Sequence, residues 1–379
     1  MKLDESPPPG VPAYAEGEFE RDLLRLCRRQ KLSPIVANSL MHLALPPGLS
    51  RIALQRLNDE AVHIDDNNAR LSEKLGLIVS SFRKKGIPCM ACGEAVYATD
   101  LYPLSNLRAV EKIDLLVREG DWVGIEECLR TVRFEKAIGR GAIKTPDEAL
   151  QFHQFYAPCV YRDADGDRIR VFFRVFDFGR PEANEKAWNR AREAGALAGG
   201  GKILGVEDEL IRAAMELNIL GFGNLLLITD VALLLVKFGR QTDWGYLEER
   251  LRSSGLYPAV YFTIQHVGDF LKVPRLWEVL RHPGRIRQRI FENVWGLGNK
   301  DFYNPGRSAR TPLVFHMIER QGLAERISVM RRILFPNSNW VNAFFGRQCN
   351  GRLRIEFIGR ALGAKWEDGV EMREAHKSA

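Results

Sequence analysis

The chain has 379 residues, 45% of them hydrophobic, 27% charged and 9% aromatic, with a formal net charge of +7. That apolar share excludes an intrinsically disordered chain, and 33 glycines with 18 prolines are too few for a fibrous one. The longest strongly apolar stretch, Asn224 to Phe238, is interrupted by Asp230 and is too short to span a bilayer, so no membrane partner is expected.

A chain of this length is expected to hold two or three domains or one elaborated core. Met1 to Pro12 (MKLDESPPPGVP) has neither the basic start nor the continuous apolar run of a signal peptide. Residues 1–17 therefore read as a flexible leader on a cytoplasmic protein. The six cysteines, Cys27, Cys89, Cys92, Cys128, Cys159 and Cys349, are scattered along the chain, unlike those of a secreted disulfide scaffold. Glu18 to Gln30 sets Phe19, Leu23, Leu24 and Cys27 on one helical face. Leu32 to Leu45 continues as a helix until Pro46-Pro47-Gly48. Arg51 to Lys85 carries Ile52, Leu57, Ala61, Ile64, Leu71, Leu75, Ile78 and Phe82 at helical spacing, and Gly86 is a natural stop. Residues 18–86 thus form an N-terminal helical region.

The texture changes at Ile87. IPCMACG and Ile113 to Val117 (IDLLV) are strand signals, with a helix from Glu94 to Leu101 and a loop from Tyr102 to Arg108 between them. A helix from Asp121 to Val132 follows. Phe152 to Arg162 and Arg168 to Phe178 read as strands joined by a turn at Asp163-Ala-Asp165-Gly-Asp167, because Asp-Gly supplies the positive φ of a tight hairpin. Residues 87–180 are therefore a small mixed-sheet unit, and the fold class is α+β. From about Glu182 the chain reads as mainly helical: Asp208–Leu220, Leu225–Phe238, Tyr246–Ser254, Ala259–Leu271, Trp277–Arg281, Thr311–Arg332 and Ile355–Leu362. Residues 181–379 form a basic C-terminal region, for 18 Lys and Arg face 9 Asp and Glu after residue 280. Such an excess attracts an anionic ligand, nucleic acid or an acidic protein partner, or is a solvated surface. No nucleic-acid motif accompanies it.

The segment Cys92 to Val117 (CGEAVYATDLYPLSNLRAVEKIDLLV) carries the most chemistry. A glycine ends a strand, a helix and an arginine-bearing loop follow, and an acidic residue sits within the next strand. This order resembles the nucleotidyltransferase (polymerase-beta-like) superfamily, and more narrowly the bacterial uncharacterised nucleotidyltransferase family. The resemblance rests on Gly93, Tyr102-Pro103, Leu107-Arg108 and Ile113-Asp114-Leu115-Leu116-Val117. Downstream it continues through Glu207-Asp208, Asp230, Asp243-Trp244, Leu334-Phe335-Pro336 and Trp340. It implies a nucleotidyltransferase-like core at 87–180 and transfer of a nucleotidyl group from a nucleoside triphosphate, with Mg2+ held by carboxylates two residues apart on one strand face.

The departures from that pattern lie at the metal positions. Lys112 stands where the first strand aspartate is expected, Cys92 where a lysine precedes the glycine, and Arg170 where the third carboxylate is expected. Asp114 is left as the one catalytic or metal-binding carboxylate. Gly93, Glu94, Arg108, Lys112 and Arg170 are the candidate substrate or phosphate contacts. Glu111 and Asp177 fall on the opposite strand face by parity. Two cations beside a divalent ion repel it.

Two readings therefore stay open. The degenerate site marks a pseudoenzyme, either a scaffold or a nucleotide- or anion-binding accessory of a biosynthetic pathway in which Lys112 and Arg170 hold the anion. Alternatively the protein is an active transferase that uses Mg2+ and a small-molecule or peptide acceptor.

Other clusters carry less. Cys89-Met-Ala-Cys92 lacks a second cysteine pair, and Asp163-Ala-Asp165-Gly-Asp167 suits a turn better than a calcium loop. His63 with Asp65 and Asp66 fits a solvated helix face. Asp177-Phe178-Gly179 stands without the rest of a kinase set, and Gly199-Gly200-Gly201-Lys202 lacks the P-loop frame.

Overall fold

In the computed structural model, residues 17–295 are described except 44, 47, 137–158, 176–180, 196–200 and 221, along with isolated positions beyond 295. The N-terminal region contains α1 (Glu18–Gln30), α2 (Ser33–Met41) and α3 (Arg51–Lys84). Ser50 caps α3 by accepting the Ala53 amide at 3.1 Å. Gly86, at φ +69°, ends it in the left-handed region that an L side chain resists. The helix expected to reach Leu45 stops at Met41, ahead of the proline-glycine turn.

Then follow β1 (Cys89–Cys92), α4 (Glu94–Asp100), a 3-10 turn (Ser105–Leu107), β2 (Lys112–Val117) and α5 (Trp122–Thr131). After them come β3 (Glu135–Lys136), β4 (Cys159–Arg162), β5 (Arg168–Phe172), α6 (Pro181–Asn189), β6 (Arg192–Glu193) and β7 (Lys202–Ile203). The C-terminal helices are α7 (Val206–Ile219), α8 (Leu225–Phe238), α9 (Trp244–Ser254), α10 (Tyr257–Leu271) and α11 (Arg285–Trp295). The Trp277–Arg281 segment is a 3-10 turn (Leu276–Val279), too short between its flanking prolines for an α-helix. The expected leader, apart from Gly17, lies outside the described residues, as do 152–158 and 176–178 of the expected strands and all but isolated positions of the expected helices at Thr311–Arg332 and Ile355–Leu362.

Among the described residues seven strands form one mixed sheet in the order β3-β4-β5-β2-β1-β7-β6. The hairpin β4–β5 is antiparallel and closes through Gly166 at φ +86°, as the Asp-Gly dipeptide predicts. The central strand β2 runs antiparallel to β1 and parallel to β5, with Asp114 opposite Cys92 on one side and Arg170 on the other. Two strands, β6 and β7, come from the stretch expected to be mainly helical, in a part where no element was expected. They are two residues long each, below the length at which alternation is legible in sequence.

Period two divides β2 between two cores. Ile113, Leu115 and Val117 face a layer built from α3 and α5, where Leu71, Leu75, Ile78 and Phe82 lie on one stripe of α3. Each such fully buried side chain contributes roughly 1.5–3 kcal/mol of transfer free energy. Leu116 faces the second core, built mainly by α7 to α10. Lys112 and Asp114 share that face, so they look toward α7. The architecture is α+β, and no helix among the described residues is long and apolar enough to cross a membrane.

Candidate functional site

Asp114 lies at the heart of the sheet with 1% of its surface exposed. Arg170, directly opposite on β5, forks onto it: Nε donates to Oδ1 at 2.7 Å and Nη2 to Oδ2 at 2.6 Å. This bidentate geometry is the strongest form of guanidinium–carboxylate pairing. Arg170 Nη2 also donates to Glu216 Oε1 on α7 at 3.0 Å.

Lys112, two residues before Asp114, bridges Glu94 Oε1 at 2.7 Å and Glu216 Oε1 at 3.3 Å. Arg212, one helical turn before Glu216, donates to Glu216 Oε2 at 2.9 Å and lies 3.5 Å from Asp114 Oδ2. Its Nε reaches Glu209 Oε1 at 2.8 Å and its Nη2 the Tyr97 hydroxyl at 2.8 Å. Glu209 Oε1 also accepts the Tyr97 hydroxyl at 2.5 Å and the Gly93 amide at 3.2 Å.

Gly93 adopts φ +70°, ψ −142°, and a Cβ there would sit 2.8 Å from both Arg212 Nη2 and Asp114 Oδ2. Only glycine lets the loop pass so close to the ion cluster.

The charges stabilise one another. Burial alone would raise the Glu94 carboxyl, but Lys112, Arg108 and the Glu111 amide hold it at about 2. Burial opposes charge on Glu216 as well, yet Lys112, Arg170 and Arg212 together keep it well below the usual carboxylate range. Burial and Arg170 push the Lys112 ammonium down, and Glu216, Glu94 and Asp114 outweigh them, so its pKa is raised. Glu94, Glu216 and Lys112 are thus each held in the charged form by the opposite charges beside them.

Arg108 takes a different place. It is 3% exposed and donates to Asp230 Oδ2 through Nη2 at 2.7 Å, while Tyr102 donates to Asp230 Oδ1 at 2.8 Å. The loop before β2 is held from the other side by α3. Asn67 donates to the Val110 carbonyl at 2.7 Å, and Asn68 donates to the Arg108 carbonyl at 2.8 Å while accepting the Val110 amide at 2.9 Å. Asp230 therefore makes the helix-to-loop contact that ties α8 to the sheet.

The Glu207-Asp208 and Asp243-Trp244 pairs join α7 to α9. Arg250 and Tyr246 bond Asp208, Glu207 accepts the Asp243 amide at 2.8 Å, and the Trp244 indole donates to the Gly239 carbonyl at 3.0 Å.

Among the remaining clusters Cys92, paired across the strands with Asp114, borders this site, and the others do not join it. Cys89 and Cys92 are three apart on a strand and so face opposite sides. Asp163, Asp165 and Asp167 bring carboxylate oxygens within 4.8 Å of one another, but Lys74 Nζ is bonded to all three, at 2.9 Å to Asp165 and 2.6 Å to Asp167. His63, Asp65 and Asp66 are exposed on α3. Glu111 turns away from Asp114 and pairs with Lys31. Asp177 lies outside the described residues. Beside the cluster a cleft of about 310 Å³ is bordered by Glu94, Arg108, Lys31, Glu111 and the start of α8.

Glu209, Arg212 and Glu216 are the members of this ion cluster that the sequence reading did not single out. Their signal is a charged stripe at i, i+3 and i+7 in a helix whose Leu210, Ile211, Ala213, Ala214 and Leu217 are all buried. A helix apolar on its other faces leaves such a stripe no route to bulk water.

Magnesium needs several oxygen ligands in near-octahedral array. Here both Asp114 oxygens accept from Arg170, Lys112 bridges Glu94 and Glu216, and Arg170 bridges Asp114 and Glu216. The donor set does not fit a divalent ion.

A family described as uncharacterised nucleotidyltransferase matches residues 18–272. No curated protein and no solved structure matches the chain.

Proposed function

Because the chain belongs to the uncharacterised nucleotidyltransferase family, we propose that it retains the family's cleft without metal-dependent nucleotidyl transfer. It acts in the cytoplasm as a pseudoenzyme, a nucleotide- or anion-binding accessory of a biosynthetic pathway. The observation that carries this reading is the bidentate Arg170–Asp114 pair, because the one surviving strand carboxylate is spent on a cation. Lys112, bridging Glu94 and Glu216, supports it from the neighbouring position.

Within this reading Gly93 provides the close approach and Glu94 fixes Lys112. Lys112 and Arg170 supply the positive field, and Arg108 buttresses the loop by holding Asp230. The residue divisions 18–86, 87–180 and 181–379 belong to the proposal, with β6 and β7 added to the sheet of the central unit.

The test is calorimetric titration of the full-length protein with ATP, CTP, GTP and UTP, each with and without Mg2+, alongside a pyrophosphate-release assay. The expected result is no magnesium-dependent binding and no pyrophosphate. Magnesium-dependent release of pyrophosphate that disappears in Asp114→Asn would establish the alternative, an active transferase that moves a nucleotidyl group to a small-molecule or peptide acceptor.

A further inference from the structure

Three cations converge on one carboxylate. Glu216 Oε1 lies 3.0 Å from Arg170 Nη2 and 3.3 Å from Lys112 Nζ, and its Oε2 lies 2.9 Å from Arg212 Nη1. Lys112 and Arg170 are carried by adjacent, hydrogen-bonded strands, and Arg212 by the helix packed over them, so the three charges have fixed positions. Such a converging set matches a phosphoryl group, whose several oxygens accept from guanidinium forks and an ammonium at once. The group now in the middle hangs on a flexible side chain, and 15% of that side chain is exposed, so it can leave.

A second carboxylate, Glu209, lies on the same helix and also pairs with Arg212. Glu209 accepts the Gly93 amide, yet its Oε2 has no hydrogen-bond partner although the residue is 2% exposed. A buried carboxylate oxygen without a donor is costly, and it marks the helix face as one shaped by more than its own pairing.

We propose that Glu216 is an internal stand-in for a ligand phosphate: when its side chain rotates outward, Lys112, Arg170 and Arg212 hold one phosphoryl group of a polyphosphate without a metal ion. This rests on the reading of the site as one without metal chemistry, and it names the ligand class and what keeps that ligand out. Withdrawal of Glu216 removes the one carboxylate that Lys112, Arg170 and Arg212 share, leaving Glu94, Asp114 and Glu209 as their separate partners. A polyphosphate is repelled while Glu216 stays inside and is admitted once it withdraws.

Inorganic tripolyphosphate, titrated calorimetrically into the full-length protein in EDTA, tests this. Glu216→Gln keeps the side-chain shape and removes the charge, and it tightens binding over wild type by about tenfold or more. Glu216→Ala does the same by emptying the position, and adding Arg212→Gln to either variant reverses the gain. Circular dichroism and a thermal transition recorded on each variant confirm that the compared proteins are folded. Affinities of folded Glu216→Gln and Glu216→Ala within about twofold of wild type overturn the proposal, as does a gain that is absent in EDTA and appears only in a parallel titration with Mg2+. Magnesium-dependent turnover by wild type would instead overturn the reading in the preceding subsection, so the two failures are distinguishable.

Discussion

Replacing Asp114 by Asn separates an ion-pair partner from a metal ligand through stability alone. In the native protein both Asp114 oxygens accept from Arg170, at 2.7 and 2.6 Å, and the Asp114 side chain has no exposed surface. Asparagine keeps the shape but sets an amide N–H against a guanidinium N–H at one of those contacts. Arg170 then keeps one neutral amide oxygen at position 114 and Glu216 as its carboxylate. Breaking one side of a buried ion pair costs about 3–5 kcal/mol. Because 16% of the Arg170 side chain reaches solvent and Glu216 still faces it, the lower end applies, about 3 kcal/mol.

A metal-ligand aspartate in a cluster of carboxylates behaves in the opposite way. Neutralising it relieves like-charge repulsion in the metal-free protein, leaving stability unchanged or raised. Urea titration in EDTA, followed by far-UV circular dichroism and tryptophan fluorescence, measures the difference once the two probes coincide. The double variant Asp114→Asn/Arg170→Met should recover part of the loss, with a coupling of roughly 2 kcal/mol. A stability for Asp114→Asn within about 1 kcal/mol of wild type, or above it, refutes the ion-pair assignment.

Asp230→Asn removes the anchor of Arg108 and Tyr102 and should cost about 3 kcal/mol, with faster amide hydrogen exchange concentrated in residues 102–110. The Glu94 carboxyl is held at about 2, below its ordinary 4.5, so the unfolded chain takes up this proton first as the pH falls. Its contribution of about 3 kcal/mol is complete above pH 4.5 and fades toward pH 2, so stability should fall more steeply over that window in wild type than in Glu94→Gln. Gly93→Ala puts a methyl 2.8 Å from Arg212 Nη2 and Asp114 Oδ2 at φ +70°, and a loss of about 2 kcal/mol in the same urea assay is expected.

The sequence determined the elements and the local chemistry. Helix α1 and strand β2 fall close to where apolar periodicity places them, because an amphipathic face is a property of consecutive residues. The β4–β5 turn follows from Asp165-Gly166, and the family from the order of Gly93, Tyr102-Pro103, Arg108 and Asp114. The cations at Lys112 and Arg170 were readable by register.

Their partners were not, and only the tertiary structure decided them. Glu209, Arg212 and Glu216 lie about a hundred residues after Asp114, and on a helix read alone they form an ordinary charged stripe. Packing α7 against the sheet through Leu210, Ile211 and Leu217 turns that stripe inward and sets each charge against its opposite. β6 and β7 were hidden for a related reason. Strands two residues long carry no periodicity of their own, and β7 is a strand because the edge of β1 accepts it. Local pattern is written in neighbouring residues, whereas the compensation of a buried charge depends on which distant residue the fold brings beside it.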